Sequence, residues 1–578
     1  MNSATEFAID TDTEADAPAA SGTEGASLNP APALSAAAVA ALLAACGGGG
    51  GGDAPAPAPA PPPAAAAPTR TQAARFLAQA SLSSSTAEIE RVQTLGYGAW
   101  LDEQMALPRS STNVEWLRSK GFDAVDYRNG FAGADAMLWR KLVSSPDPLR
   151  QRVALALSEI VVVGMAGISG LGFRAFAAGH FMDLLEAHAF GNYRALLDDV
   201  SKSPAMGAYL TFRGNRKAAG QSVPDENYAR ELMQLFTIGL VQLNSDGTPR
   251  LGSNGQALDS YTQDDVTQLA RVFTGWDVDT SVGTADTPDR SIRPMVQVTT
   301  RHELGEKKFL GTTIPASTDG VRSLALALDA LVAHPNIAPF VGRQLIQRLV
   351  TSNPSAAYVG RVAAAFNNNG SGVKGDLRAT LRAVLLDPEA RSDSAGSDPA
   401  FGKLREPVLR FVQWTRTFVL VDASGNWALG DMSDPAARLG QSPLRSPSVF
   451  NFFRPGYVVP NSGINAAGNR TVPEFQITTE SSVAGYVNFM QRTIGSGVNG
   501  NTALRGNYAA LQALVADSAA LLAELNVTLA AGQLSAITLA ALKAALDTIA
   551  VTTAAGQANR IYAGVTLVFA APEYITLK

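Results

Sequence analysis

The chain has 578 residues, with 46 Lys and Arg against 51 Asp and Glu, and 46% of its residues are hydrophobic. A single compact core rarely exceeds about 300 residues, so we expect one large or two smaller folded bodies, and the apolar fraction excludes wholesale disorder. The single cysteine excludes an intramolecular disulfide framework and any Cys-rich zinc or iron–sulfur site.

The acidic excess lies at the start of the chain. The segment before residue 46 carries six acidic residues and no Lys or Arg, which leaves 45 acidic against 46 basic residues in the remainder. A nucleic-acid partner requires a clustered basic excess, so we predict none.

An apolar stretch over residues 33–45 runs into Leu43-Ala44-Ala45-Cys46 and then into six glycines. It is too short for a transmembrane helix, which needs about 20 residues, but its length is typical of the apolar region of a signal peptide. The four residues are similar to a bacterial lipoprotein box. We therefore predict a leader over 1–46, lipidation of Cys46, and a lipid-anchored protein of the bacterial cell envelope that faces the periplasm or the exterior.

The alternative interpretation is an Ala/Gly/Pro tail with an incidental cysteine, in a secreted or soluble protein. It is supported by the acid-only start, because a signal peptide normally begins with positive charge. In either case residues 47–68 are predicted to form a Gly/Pro/Ala-rich, extended linker.

From about Thr69 the apolar residues recur at spacings of three and four. In residues 148–160, Leu149, Val153, Leu157 and Ile160 share one face, which predicts an amphipathic helix with Arg150 outside the apolar stripe. Another helix is predicted to open with Thr262 and Asp265 at capping-box spacing. Similar patterns occur at 324–333, 341–350, 377–386, 408–419, 511–525 and 534–549.

Alternation typical of strands is scarce, at 296–299 and in a hairpin around Asp246 and Gly247. We therefore predict a mainly α fold, with a large multi-helix globular body over 69–578 that has a few short strands or hairpins. This body follows a disordered leader and a Pro/Ala linker. Long connections are expected at 277–320 and 420–500, and a sub-boundary near 280–320 is a candidate within the body.

Motifs of several enzyme classes are missing or incomplete. The chain has no P-loop and no Gly-x-Ser-x-Gly elbow. His302-Glu303-Leu304-Gly305-Glu306 begins like a zincin helix but has Glu306 in place of the second His. A divalent metal is compatible with the acidic residues of the chain, but no specific motif indicates a metal or another cofactor.

Residues 224–239 (PDENYARELMQLFTIG) form the densest local motif. Asp225 is the expected N-cap, and Glu226 and Arg230 lie one turn apart and can pair, as can Asn227 and Glu231. One interpretation is a ladder of surface salt bridges. The other is a polar pocket that includes charges from other helices.

This motif and several others in the chain resemble those of a known family. Nine segments, in order, resemble the bacterial exported family catalogued as domain of unknown function 1800. They are 188–194, 203–207, the motif 224–239, 265–276, 302–311, 334–338, 403–407, 439–451 and 570–574. The resemblance covers roughly residues 70–578. Where members usually have His-Asp, this chain has His302-Glu303, which keeps a carboxylate but changes its reach.

The resemblance implies export but no established activity. It also implies a partner, because genes of this family often neighbour a second exported family, domain of unknown function 1501, which resembles phosphatase-like sulfatases. We therefore expect an envelope-anchored helical binding or assembly protein that acts with a co-exported partner.

The alternative is an envelope enzyme with an acid–base or metal-dependent site. Its candidate residues are charged or can form hydrogen bonds, and they come from the motif 224–239 and the later segments 265–276 and 302–311. They are Glu226, Asn227, Arg230, Glu231, Arg271 and His302. A third hypothesis is a polysaccharide-binding module that uses exposed rings such as Trp276, Phe452, Phe453 and Tyr457. Core packing around Pro447 and Pro455 is the favoured explanation for Phe450, Phe452 and Phe453.

Overall fold

The computed structural model describes residues 66–578 apart from 397, 399, 461 and 463–469. The segment Ala66–Lys578 forms one compact unit, and the candidate boundary near 280–320 lies inside it. The predicted leader 1–46 with Cys46, and all but the last three residues of the predicted linker 47–68, lie outside the described residues.

The described part of the chain is mainly α, as predicted. The helices of its first half, most of them short, are α1 Arg70–Ala80, α2 Thr86–Ala106, α3 Asn113–Ser119, α4 Ala134–Ser144, α5 Pro148–Ser158, α6 Arg174–His188, α7 Tyr193–Lys202, α8 Pro204–Tyr209, α9 Asn227–Glu231, α10 Gln263–Ala270 and α11 Asp289–Ile292. The helices that follow are α12 Gly320–Ala333, α13 Ile337–Leu349, α14 Ala356–Asn367, α15 Leu377–Leu386, α16 Pro388–Arg391, α17 Pro407–Thr417, α18 Glu480–Ser496, α19 Ser518–Thr528, α20 Ala536–Asp547, α21 Ala554–Ala570 and α22 Pro572–Ile575.

Strands in the described residues form short antiparallel pairs. These are β1 Trp276–Asp277 with β2 Val296–Gln297, β3 Lys307–Phe309 with β4 Thr312–Ile314, and β5 Lys403–Leu404 with β6 Thr576–Leu577. The predicted hairpin around Asp246 and Gly247 is present as an isolated antiparallel bridge between Leu243 and Pro249.

Of the two predicted helix starts, that of α10 is confirmed, whereas the N-cap of α9 is Glu226 and not the predicted Asp225, whose Oδ1 accepts from the Asn227 N–H (2.8 Å). At α10 the Thr262 side chain accepts a hydrogen bond from the Asp265 backbone N–H, and Asp265 accepts one from the Thr262 backbone N–H in return. This reciprocal capping box satisfies two backbone donors that a helix start otherwise leaves unpaired, and it confirms the predicted start.

Two predictions about the C-terminal part were wrong. Residues 511–525 do not form one helix, because Asp517 accepts hydrogen bonds from the N–H groups of Ala519 and Ala520 and so caps a new helix, α19. The expected connection 420–500 contains helix α18, whose buried residues, among them Tyr486, Phe489, Met490 and Ile494, recur at spacings of three and four.

The body contains two hydrophobic cores that meet at helices α4 and α5. On α4, Met137 and Leu138 belong to the first core, whereas Trp139 and Leu142 belong to the second. On α5, most aliphatic residues belong to the first core but Leu155 belongs to the second. The two helices therefore lie where the two cores meet.

This position explains why α5 departs from the predicted amphipathic pattern. All of its residues are buried, including Arg150, Gln151 and Arg152 on the face that was expected to be polar. A charged side chain in such a place has to be paired, because transfer from water of an isolated charge is very unfavourable.

The required partners form a buried charge network at the junction of the cores. Arg152 donates to the Arg348 carbonyl oxygen (2.7 Å), and Lys403 Nζ donates to the same oxygen (2.9 Å). Lys403 also pairs with Glu406 (3.2 Å) and Glu474 (3.0 Å). The network therefore links α5, α13, β5, the start of α17 and the 3-10 helix Pro473–Ile477.

No single helix in the described ranges is long and apolar enough to cross a bilayer, whereas α12 and α13, bent by 76° at their junction, reach the required length and hydropathy only as a pair.

We predict that Lys403→Met destabilises the fold by about 3–5 kcal/mol, because it leaves two buried carboxyl groups without their shared cation. The matched control is Lys543→Met, which removes an exposed i,i+4 pair with Asp547 and should leave the unfolding midpoint almost unchanged. Urea unfolding measures both. An equal effect of the two substitutions would contradict a structural role for Lys403, and adding Glu474→Gln to Lys403→Met should restore part of the loss.

Candidate functional site

The predicted pair of Glu226 and Arg230 is present. Arg230 Nη2 lies 3.1 Å from Glu226 Oε2, which also accepts from Gln263 Nε2 (2.7 Å), and Thr267 Oγ1 donates to Glu226 Oε1 (2.7 Å). The acceptor capacity of Glu226 is thus largely used by helix α10, and about a third of each paired side chain is exposed. This arrangement is a polar contact between α9 and α10.

Asn227 and Glu231, the neighbouring candidates, point in different directions. Asn227 is exposed and donates to Thr211 Oγ1 (3.4 Å). Glu231 is buried, its Oε2 has no hydrogen-bond partner among the described residues, and burial raises the pKa of its carboxyl group. Burial raises the pKa of the Tyr209 phenol, and the nearby Glu231 charge raises it further, to about 12.

Arg271 and His302 lie in a second group near strand β3. Arg271 Nη1 donates to Gln268 Oε1 (2.6 Å) and to the Glu306 carbonyl oxygen (2.8 Å), and its Nη2 lies 3.7 Å from Glu303 Oε1. His302 is buried with its Nδ1 2.9 Å from the Thr274 carbonyl oxygen, so Nδ1 carries the proton. Its Nε2 has no hydrogen-bond partner among the described residues. Burial lowers the pKa of this imidazole.

The structure thus joins Glu226 to Arg230 and Arg271 to Glu303. No direct hydrogen bond or ion pair in the described ranges connects these two pairs, or links the Glu231 or His302 side chain to either of them. His302 reaches Arg271 through Thr274, whose hydroxyl lies 3.2 Å from His302 Nδ1 and donates to the Arg271 carbonyl oxygen (2.7 Å). No cluster of three or more His, Cys, Asp or Glu side chains in the described part of the chain is arranged to hold a metal ion.

The rings of the polysaccharide hypothesis do not form an exposed strip. Trp276 is buried in the first core, Phe453 is buried outside both cores, and Phe452 is half-buried. Tyr457 is half-buried too, but it lines a cavity together with Phe450.

This cavity has a volume of about 560 Å³, within the usual range for small-molecule sites. Most of its walls come from three segments: the end of the 224–239 motif, helix α13, and the chain from 449 to 458. Glu159 and Ile160 after α5, Leu240 and Thr471 complete the lining. The side chains that give it chemical character are Glu159, Gln234, Phe340, Arg343, Gln344, Gln347, Arg348, Phe450, Arg454 and Tyr457.

One wall is a π-helix, Leu232–Thr237, which continues directly from α9. Its wider turns are stabilised by Thr237, whose hydroxyl donates to the Leu232 carbonyl oxygen (2.6 Å), and by the Ile238 N–H, which donates to the Met233 oxygen (2.9 Å). π-Helical turns are rare and are frequent at functional sites. Here the turn ends at Gly239, whose left-handed φ of 73° few other residues adopt.

The second wall is one face of α13. Phe340, Arg343, Gln344, Gln347 and Arg348 all line the cavity, and their spacings of three and four place them on one side of a helix. The amide of Gln344 donates to the Leu235 carbonyl oxygen (3.3 Å) and that of Gln347 to the Pro455 oxygen (3.4 Å). These amides attach both neighbouring walls to α13.

Cationic groups dominate the cavity. Arg343 is half-buried, burial lowers the pKa of its guanidinium, and it has no hydrogen-bond or ion-pair partner in the part of the chain that the structure describes. Arg454 lies over the Phe450 ring (4.7 Å) and Arg348 over the Phe453 ring (4.8 Å). Glu159, 3.5 Å from Arg348 Nε, is the carboxyl group among the lining side chains.

Sequence reasoning missed the polar residues of this cavity. The motif 224–239 and Tyr457 were singled out, but Glu159, Arg343 and Arg348 were not. A usable pattern existed on α13, where polar residues recur at helical spacing beside an apolar stripe. For Glu159 the sequence holds no such pattern, because its position depends on contacts with residues far along the chain.

The chain belongs to the family described as "protein of unknown function (DUF1800)", which matches residues 75–576. The helical body characterised above is therefore the family domain, and the resemblance found in the sequence is confirmed. No curated protein and no solved structure matches this chain significantly.

We predict that Gly239→Ala destabilises the fold by about 1–3 kcal/mol and narrows the cavity. A methyl group there would lie 2.7 Å from the Phe340 ring, on a residue with positive φ. The control is Gly255→Ala, which has a φ of 75° but nothing within 4 Å of the added methyl group. Urea unfolding of both variants separates the collision from backbone strain, and equal losses would contradict the close packing of Gly239 on Phe340.

Proposed function

We propose that the protein is a binding protein of the bacterial envelope whose cavity holds an anionic ligand with an apolar ring or chain. The single observation that carries the proposal is Arg343, a half-buried guanidinium at the cavity without a partner among the described residues. Burial lowers the pKa of this guanidinium because it is partly removed from water, and an anionic ligand would supply a partner for it.

The shape of the site supports a ligand with two parts. Phe340, Phe450 and Tyr457 offer apolar and aromatic surface, whereas Arg343 and Arg454 offer cations that suit a carboxylate, sulfate or phosphate. A concave, mostly apolar site with a few polar groups is the usual form of a small-molecule site.

Binding is favoured over the acid–base enzyme by the state of the predicted catalytic residues. The Glu226 and Arg230 charges are paired with each other, and Arg271 is bonded to Gln268 and to a backbone carbonyl. The proposal includes attachment to the envelope through a lipid on Cys46, and an exported sulfatase-like partner from the family catalogued as domain of unknown function 1501.

The first test compares two fluorescent probes that share an aromatic scaffold. Anilinonaphthalene sulfonate carries an anionic group, and phenylnaphthylamine lacks it. We expect Arg343→Met to weaken binding of the sulfonate about tenfold or more, as for loss of a hydrogen bond to a charged group, with little change for phenylnaphthylamine.

The matched control for this test is Arg322→Met, which removes an exposed arginine on α12 away from the cavity. It should leave both affinities unchanged. Equal losses for both probes, or a wild type that does not distinguish them, would contradict an anion-binding cavity.

The second test addresses the lipid anchor. Cells that express the wild-type chain and take up an alkyne fatty acid should label it, and Cys46→Ser should abolish the label because the chain has one cysteine. An unlabelled wild type, or equal labelling of the variant, would contradict lipidation at Cys46.

A further inference from the structure

A pair of carboxyl groups lies where the cavity meets the buried charge network. Glu159 and Glu406 are both buried, and their carboxyl groups are close enough for each to shift the pKa of the other. Two carboxylates both lack a hydrogen-bond donor, so a proton on one of them relieves their repulsion and supplies a donor to the pair. The pair is therefore a place where the protein can hold a proton.

The surroundings of the pair indicate which group carries that proton. Glu406 accepts from Lys403 Nζ (3.2 Å) and from Gln441 Nε2 (2.9 Å). Burial alone would raise its pKa, but Lys403, Glu159 and the nearby arginines together lower the pKa of Glu406 below its usual value. Glu406 is thus the ionised member.

Glu159 is the member that takes up a proton first. Burial first, and then the Glu406 charge, raise the pKa of Glu159 well above its usual value, although Arg348 opposes this shift. Its Oε2 has no hydrogen-bond partner among the described residues, and its nearest cation, Arg348 Nε, is 3.5 Å away.

Charged groups from five segments determine this state. Arg152 on α5, Arg348 on α13 and Lys403 on β5 supply three cations, while Glu406 before α17 and Glu474 supply the other carboxyl groups. With a neutral Glu159, three cations face at most two carboxylates. With an ionised Glu159 this excess of positive charge disappears.

Glu159 also lines the cavity, beside Arg348 and close to the groups assigned to the ligand. An ionised Glu159 would place negative charge in the compartment that holds the anion, at short range and low dielectric, where like charges repel strongly. A neutral Glu159 removes this repulsion.

We infer that the cavity takes up its anionic ligand together with a proton from solvent, which resides on Glu159 of the Glu159–Glu406 carboxyl pair. The inference rests on the proposed anion-binding function and adds a regulation of that same site. Affinity for the anion then falls as the pH rises through the pKa of Glu159 in the free protein. Linkage limits the slope for one proton to about tenfold per pH unit.

The experiment measures the affinity of the purified full-length chain for anilinonaphthalene sulfonate between about pH 5 and pH 9. The sulfonate stays ionised throughout, so any slope arises in the protein. We expect wild-type affinity to fall with rising pH and affinity for phenylnaphthylamine to stay constant. Glu159→Gln, which resembles the neutral acid, should keep the tight affinity at every pH.

The matched control is Glu88→Gln. Glu88 is another largely buried glutamate whose pKa is raised by burial, but it lines a different depression, beside Ser145 and Arg416. Glu88→Gln should retain the wild-type slope. If Glu159→Gln does not fold, calorimetry of the wild type in buffers of different ionisation enthalpy measures proton uptake directly, and we expect up to one proton per bound sulfonate.

The outcomes separate the two proposals. Three results would overturn the proton linkage and leave the anion site intact. They are a flat wild-type pH profile with arginine-dependent binding, a slope that persists in Glu159→Gln, and binding without proton uptake across the whole pH range. Absence of arginine-dependent binding at every pH would overturn the anion site and the linkage with it.

Discussion

The burial of helix α5 on every side is the constraint on which much of this structure depends. The helix lies where two hydrophobic cores meet, so its polar residues have little access to bulk water and require partners inside the protein. Arg152 obtains its partner from α13, and the same carbonyl oxygen binds Lys403. One buried position therefore fixes the relative placement of segments that are far apart in the chain.

The cavity follows from the same constraint. Glu159 and Arg348 belong both to the network and to the cavity wall, so the charge of the wall is coupled to buried groups that do not line the cavity. Buried ionic groups contribute little net stability compared with apolar packing of the same volume. Their retention here is consistent with a role in the electrostatics of the site.

The sequence allowed the prediction of the fold class, of the capping box of α10 and of the Glu226–Arg230 pair, because these depend on residues within one or two turns. It misjudged α5, since periodicity reports how apolar residues are spaced and not whether a second core covers the opposite face. It missed the cavity for a related reason. Glu159, Arg343 and Arg454 meet only through tertiary contacts, and a lone arginine on a helix is usually solvent-exposed.

The π-helix has a consequence for any comparison of sequences within the family. A π turn accommodates one extra residue, which rotates everything after it by about 100° relative to an unbroken α-helix. Glu231 before the turn and Gly239 after it are therefore out of phase with a helical wheel drawn through the whole motif. A relative that lacks the extra residue could have the same residues on either side of the turn and still present a different wall to the cavity. An insertion or deletion within residues 232–237 therefore changes which side chains face the cavity.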